Sequence, residues 1–132
     1  MLAQLVPAPI LRLFAGPYVA GDSMARALDV AARLGAQGAW STLDLLGEDV
    51  TEASQVERNV DAYLALIAAL AEDERFPRGP GRPSISLKPS AFTTGDRGAA
   101  FVHIRRIAEA ARRPELPLTI DMEDHRWTDA TL

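Results

Sequence analysis

Three charged side chains stand directly behind short apolar runs in this sequence. Lys88 follows Ile85, Ser86 and Leu87 in SISLKPS; Asp44 follows Thr42 and Leu43 in STLDLLGE; Asp121 follows Leu118, Thr119 and Ile120 in PLTIDMED. An ammonium flanked by carboxylates from separate segments is the chemistry of an anion clamp. Desolvation of a lysine favours the neutral amine, and a neighbouring carboxylate restores the cation. At ~4 Å one such partner contributes about 4 kcal/mol at an effective dielectric near 20. Asp121 is the expected partner of Lys88, which leaves a cation able to hold an anionic substrate group. Taken singly, a charge behind a strand is the ordinary first solvated residue of a loop. Three in the same position weigh toward a site.

The surrounding pattern says how these residues are carried. Met24, Ala27, Leu28, Ala31 and Leu34 follow a helical period, opened by Gly21 and Asp22 and closed by Gly35 as a C-cap. Residues 39–45 read as a strand, with Trp40 a packing residue. Ser54 and Glu57 form a capping-box pattern. Behind them Val56, Val60, Tyr63, Leu64, Ile67 and Leu70 trace one helix face as far as Glu72. A Pro- and Gly-rich link, DERFPRGPGRP, lacks the spacing of a phosphate loop and leads into a strand. Residues 84–88 form that strand, with Ile85 and Leu87 suited to a barrel interior. Asp96 caps a third helix whose inward residues are Phe101, Ile104, Ile107, Ala108 and Ala111, and residues 116–122 form a third strand. TDATL reads as the start of a further helix. Helix and strand alternate, which predicts an α/β fold of parallel strands joined by right-handed crossovers. Ligands of such folds gather at the carboxyl ends of the strands, so Asp44, Lys88 and Asp121 are expected on one rim.

The chain has 132 residues, 48% of them hydrophobic and 24% charged, which suits one globular domain. A net charge of −4 offers no electrostatic case for nucleic acid. Cysteine is absent, which removes disulfides and thiolate metal sites. Residues 1–21 have no basic residue before Arg12, and Pro7 and Pro9 break their apolar run, so they read as an extension and not a signal peptide. No run reaches the ~18 apolar residues of a membrane span, and a cytoplasmic location is expected. Glu123, Asp124 and His125 have the donor types for a divalent ion, but an acidic loop of this kind more often faces solvent, and no metal is expected. His103 lies on the third helix with no further ligand at defined spacing. RRIAEAARR reads as the solvated face of an amphipathic helix, and no serine-hydrolase elbow occurs.

LDLLGE, ISLKPSAF and TIDMED, taken in order, resemble three successive motifs of proline dehydrogenase, of the bacterial monofunctional type. YVAGDSMARALDVAARLGAQG resembles that family's lead-in helix and HRWTDATL the start of its following helix, so the likeness runs from about Tyr18 to Leu132. The resemblance implies a (β/α)8 TIM barrel that binds FAD, oxidises L-proline to 1-pyrroline-5-carboxylate by hydride transfer to the flavin, and passes electrons to a quinone. It also implies roles. Lys88 would hold the substrate carboxylate, Asp121 would be the active-site aspartate, and the backbone of Met122 would touch the flavin. Asp44 and Glu48 would lie near the active site.

The departures limit this reading. Such a barrel needs eight strands and typically ~250 residues, and three strands are legible here. The expected architecture is therefore a partial barrel, the N-terminal portion of a proline dehydrogenase. An extension over 1–21 would precede a helix and three β/α units over 22–132, the last incomplete. Alone it is expected to be inactive and to leave an open strand edge and an uncovered apolar face. Self-association, or pairing with a complementing C-terminal half, would follow, with peripheral membrane association of the complete enzyme. A non-catalytic α/β module that binds a small anion or a partner protein at its rim is the alternative. A different barrel enzyme sharing only the strand-end pattern is a third reading, against which LDLLGE argues.

Overall fold

The first helix, α1 (Met24–Ala36), begins where Ser23 turns the chain out of extended backbone and accepts the amide of Arg26. It does not stop at Gly35. The reversal comes at Gly38, whose φ of 77° suits a residue without Cβ. The amides of Gly38 and Ala39 return to the carbonyls of Gly35 and Leu34, which closes the helix as a Schellman motif. The computed structural model describes residues 23–47, 50–123 and 127 of the chain.

The remaining elements follow in alternation: β1 (Thr42–Leu43), α2 (Ala53–Glu72), β2 (Ser84–Leu87), α3 (Arg97–Arg112) and β3 (Leu118–Ile120). A 3-10 turn, Pro89–Phe92, interrupts the passage from β2 to α3 and was not legible as an element. The expected capping box of α2 does not form. Glu52 occupies the N-cap position, and Ser54 lies within the first turn, its hydroxyl donating to the Glu52 carboxylate at 3.4 Å. Asp96 does cap α3, accepting the amide of Gly98 at 2.8 Å.

The three strands form one parallel sheet in the order β1-β2-β3, with Leu43 beside Ile85 and Leu87 beside Ile120. Sequential order with right-handed crossovers puts α2 and α3 on the same face. This is the winding of a (β/α)8 barrel, and the chain is three successive units of one. The shared face decides where apolar side chains go. Ile85 and Leu87 are fully buried against Val60, Tyr63, Ile104 and Ile107 from the helices. The expectation that they fill a barrel interior is thus corrected, because they line the helix side. Alternate positions carry Thr42, Ser84, Ser86 and Thr119, and Thr42 Oγ1 lies 2.7 Å from Ser84 Oγ across the strands. The row left without helices is polar, not the uncovered apolar face expected. Trp40, expected to pack, is 80% exposed just before edge strand β1, whereas Trp127 is buried in the core with the Arg97 guanidinium over its ring.

Candidate functional site

The parallel sheet brings the chain segments after β1, β2 and β3 to one end. Asp44 is next after β1, Lys88 after β2, and Asp121 after β3. The amide of Asp121 still donates to Leu87 O at 2.7 Å, so the β2–β3 ladder runs on to Lys88 and Asp121. Lys88 Nζ lies 2.8 Å from Asp44 Oδ2, with about a fifth of the lysine side chain and a quarter of the aspartate exposed. The ion pair is therefore made with Asp44, directly after the first strand, and not with Asp121 as the sequence had suggested. The reason is reach. Asp44 is held at the β1–β2 boundary by further bonds, while Asp121 Oδ1 turns back to accept the amide of Met122 at 3.0 Å.

Those further bonds come from Tyr63 on α2. Its hydroxyl is 2.8 Å from Ser86 O and 3.1 Å from Asp44 Oδ1, and it accepts the amide of Leu45 at 3.2 Å. The side chain is 1% exposed and its ring meets Phe92 at a centroid distance of 5.5 Å. Burial, with the Asp44 charge adding and the Leu45 amide opposing, pushes the Tyr63 hydroxyl well above its ordinary range. It stays a neutral donor. One turn earlier, Asn59 Nδ2 donates to Ala91 O at 2.8 Å and so holds the 3-10 turn behind Lys88.

The segment after β3 is tied in by Glu123. One of its carboxylate oxygens accepts the amide of Ser90 at 2.9 Å, and the other accepts the Ser90 hydroxyl. Met122 is half exposed. Glu48 lies outside the described residues, as do Asp124 and His125. No group of three metal-ligating side chains converges among the described residues, and none of the described helices is long and apolar enough to cross a membrane. Tyr63, Asn59 and Ser90 escaped sequence reasoning as site residues. Tyr63 was visible only as one more member of an apolar helix stripe. A tyrosine in such a stripe needs a partner for its hydroxyl when buried, which was the available signal.

An arrangement of this kind offers an anchored, partly exposed ammonium at the end of a sheet whose helix-free row is polar. A carboxylate or another small anion is the natural complement. The family model described as proline dehydrogenase matches residues 27–132. Proline dehydrogenase 1 of Bacillus subtilis is 30% identical over 122 residues, which is 92% of this chain and 38% of that protein. Proline dehydrogenase of Deinococcus radiodurans is 29% identical over 120 residues, 87% of this chain and 36% of that protein. The chain thus spans under two fifths of the length of these curated relatives. Among solved structures, proline utilization A from Bdellovibrio bacteriovorus inactivated by N-propargylglycine superposes with a TM-score of 0.74 at 19% identity, over 86% of this chain and 14% of that one. A mutant of proline utilization A from Bradyrhizobium japonicum gives a TM-score of 0.57 at 26% identity, over 64% of this chain and 10% of that one.

Proposed function

The chain belongs to the proline dehydrogenase family, and from that premise we propose that it supplies the lysine–carboxylate wall of a site that oxidises L-proline to 1-pyrroline-5-carboxylate. The observation that carries this reading is the Lys88–Asp44 pair, 2.8 Å apart at the carboxyl end of the sheet and still partly open. A lysine used only for packing has no need of a carboxylate anchored by a buried tyrosine. Lys88 binds the proline carboxylate. Asp44 keeps the ammonium charged and aimed. Asp121 is the active-site aspartate that orders the site around the substrate, and Glu48 belongs to the same neighbourhood.

The family's flavin, FAD, accepts the hydride when bound. The described residues fit one part of it. Half-exposed Met122, at the end of β3, offers an edge against which a flat ring can rest. They provide no cradle for its phosphates, since the Gly-rich link before β2 lies at the opposite end of the sheet. The same reading takes a quinone as electron acceptor, a cytoplasmic site of action and peripheral membrane association of the complete enzyme. It also holds that these 132 residues alone bind FAD weakly and do not turn over proline, and that they associate with themselves or with a complementing half.

The test is a flavin titration and a dye-linked proline oxidation assay. Both are run on the chain alone and on the chain supplied with a segment carrying the other strands of a (β/α)8 barrel. Activity is expected only in the second case, and Lys88→Ala is expected to raise the proline KM strongly. Unchanged proline affinity in Lys88→Ala would remove Lys88 from the substrate shell. A yellow chain that oxidises proline unaided would overturn the claim of inactivity.

A further inference from the structure

We propose that Tyr63 is a positioning residue, whose hydroxyl fixes the plane of the Asp44 carboxylate so that its second oxygen is presented to Lys88. The importance of that presentation for substrate rests on the reading above. The geometry itself does not.

The two oxygens of Asp44 are divided. Oδ1 lies 3.1 Å from the Tyr63 hydroxyl and Oδ2 lies 2.8 Å from Lys88 Nζ. A carboxylate held at one oxygen only can rotate about its terminal bond, and a terminal torsion of this type is broad. Held at both, it has one orientation. The hydroxyl that does the holding is itself immobile. It is buried, its ring is packed against Phe92, and its oxygen joins α2 to β2 through Ser86 O and to the segment after β1 through Leu45 N and Asp44. One hydroxyl proton serves two acceptors, so Ser86 O and Asp44 Oδ1 share it. Asp44 is thereby tied to the position of β2, the strand that carries Lys88. Asn59, on the same face of α2 one turn away, ties down the 3-10 turn that follows Lys88 through Ala91 O. A single helix face thus sets the separation of the two partners.

The sequence makes this measurable, because Lys88 is its one lysine. Selective 15N-lysine labelling gives one side-chain Nζ resonance. Its titration midpoint is followed in the unaltered chain, in Tyr63→Phe, in Asp44→Asn and in the double variant. Asp121 and Glu123, the described acidic residues following β3, are the same in all four proteins. Asp44→Asn is expected to lower the midpoint. Tyr63→Phe is expected to lower it in the same direction by at least about half a pH unit. The double variant is expected to fall no further than Asp44→Asn alone, the non-additivity of residues acting through one contact. Phe92→Leu, which loosens the same packing without touching Asp44, is expected to leave the midpoint in place.

A Tyr63→Phe midpoint equal to that of the unaltered chain would overturn the proposal. So would a Phe92→Leu shift as large as that of Tyr63→Phe, or an undiminished Tyr63→Phe effect in the Asp44→Asn background. A second measurement needs no variant of Tyr63. In the unaltered chain its hydroxyl proton should exchange slowly enough to give an NMR signal, and Asp44→Asn should move that signal. A rapidly exchanging hydroxyl overturns the proposal. None of these measurements involves proline or flavin, so their failure is separable from failure of the enzymatic reading.

Discussion

Arg82 precedes β2 and Lys88 follows it, and the surroundings of the two cations differ in kind. Arg82 is 9% exposed and bonds only main-chain carbonyls: Leu70 O, in the last turn of α2, at 2.7 Å, and Pro114 O in the turn after α3. Among the described residues its Nε has no partner. Burial, and then the charge of Arg78, push its guanidinium below the ordinary value. Lys88 is less buried and meets a carboxylate. A planar fork with five donors suits the task of collecting carbonyls at helix ends, and a compact ammonium on a flexible stem suits a charge offered to a ligand. The amino end of β2 is thus the closed one, its cation serving the backbone, and the carboxyl end, where a partly exposed cation faces an acid, is the more open.

The largest effect should come from the closed end. Arg82→Ala leaves the buried carbonyl of Leu70 and the part-buried carbonyl of Pro114 short of a donor; at about 1–3 kcal/mol for the first and less for the second, a loss of about 2–4 kcal/mol is expected in urea denaturation. Arg82→Lys should recover only part of it, since one ammonium cannot reproduce the fork. A loss below that of Lys88→Met would break the comparison at its root.

Next in size is an alkaline effect at the open end, through Tyr63. The group is an acid whose folded pKa lies above its unfolded one, so the folded chain keeps its proton while the unfolded chain gives it up. Its contribution is therefore fully present below the unfolded value, near pH ~10, and is lost as pH rises above it. The expected slope is about 1.4 kcal/mol per pH unit. Denaturation melts from about pH 9 to about pH 11.5 should show that slope in the unaltered chain and lose it in Tyr63→Phe. An unchanged slope would mean the hydroxyl is not held as described. A smaller change is expected from Glu123→Ala. It removes two charge-assisted bonds to Ser90, and an effect of about 1–2 kcal/mol should appear with faster hydrogen exchange at the Ser90 amide.

The closed and open ends were not equally legible in the sequence. The alternation of apolar periods gave the parallel α/β order, and the helix faces were readable because burial follows a period of 3.6. Val56, Val60, Ile67 and Leu70 in α2 are all buried, with Leu66 in place of the expected Leu64. Element limits were less legible. The expected strand over 39–45 pairs only at Thr42–Leu43, because strand limits are set by the neighbour's reach and not by local composition. The placement of Asp44, Lys88 and Asp121 at one end followed from parallel topology. Their pairing did not, since it depends on Tyr63 and on the turn of Asp121 toward its own neighbour, which no spacing encodes. Ile85 and Leu87 were assigned to the wrong side for a related reason. Alternation says that two faces differ, and only the position of both helices says which face is the core.

The smallest stability effect should belong to the residue on which the functional reading leans most. Lys88→Met keeps the aliphatic stem and removes the ammonium. Asp44 retains the Tyr63 hydroxyl on its other oxygen, and it is 26% exposed, so water can replace the lost partner. Exposed ion pairs contribute about 0–1 kcal/mol, and for this more buried pair, which water still reaches, a change near the top of that range is expected by urea denaturation. On the proposed function, a cation that adds so little to folding, yet is aimed by a carboxylate bonded to a buried tyrosine, serves a ligand. Affinity for small carboxylates should therefore fall in the same variant whose stability barely moves. A stability loss matching that of Arg82→Ala would place Lys88 with the structural cations, and the contrast between the two ends of β2 would disappear.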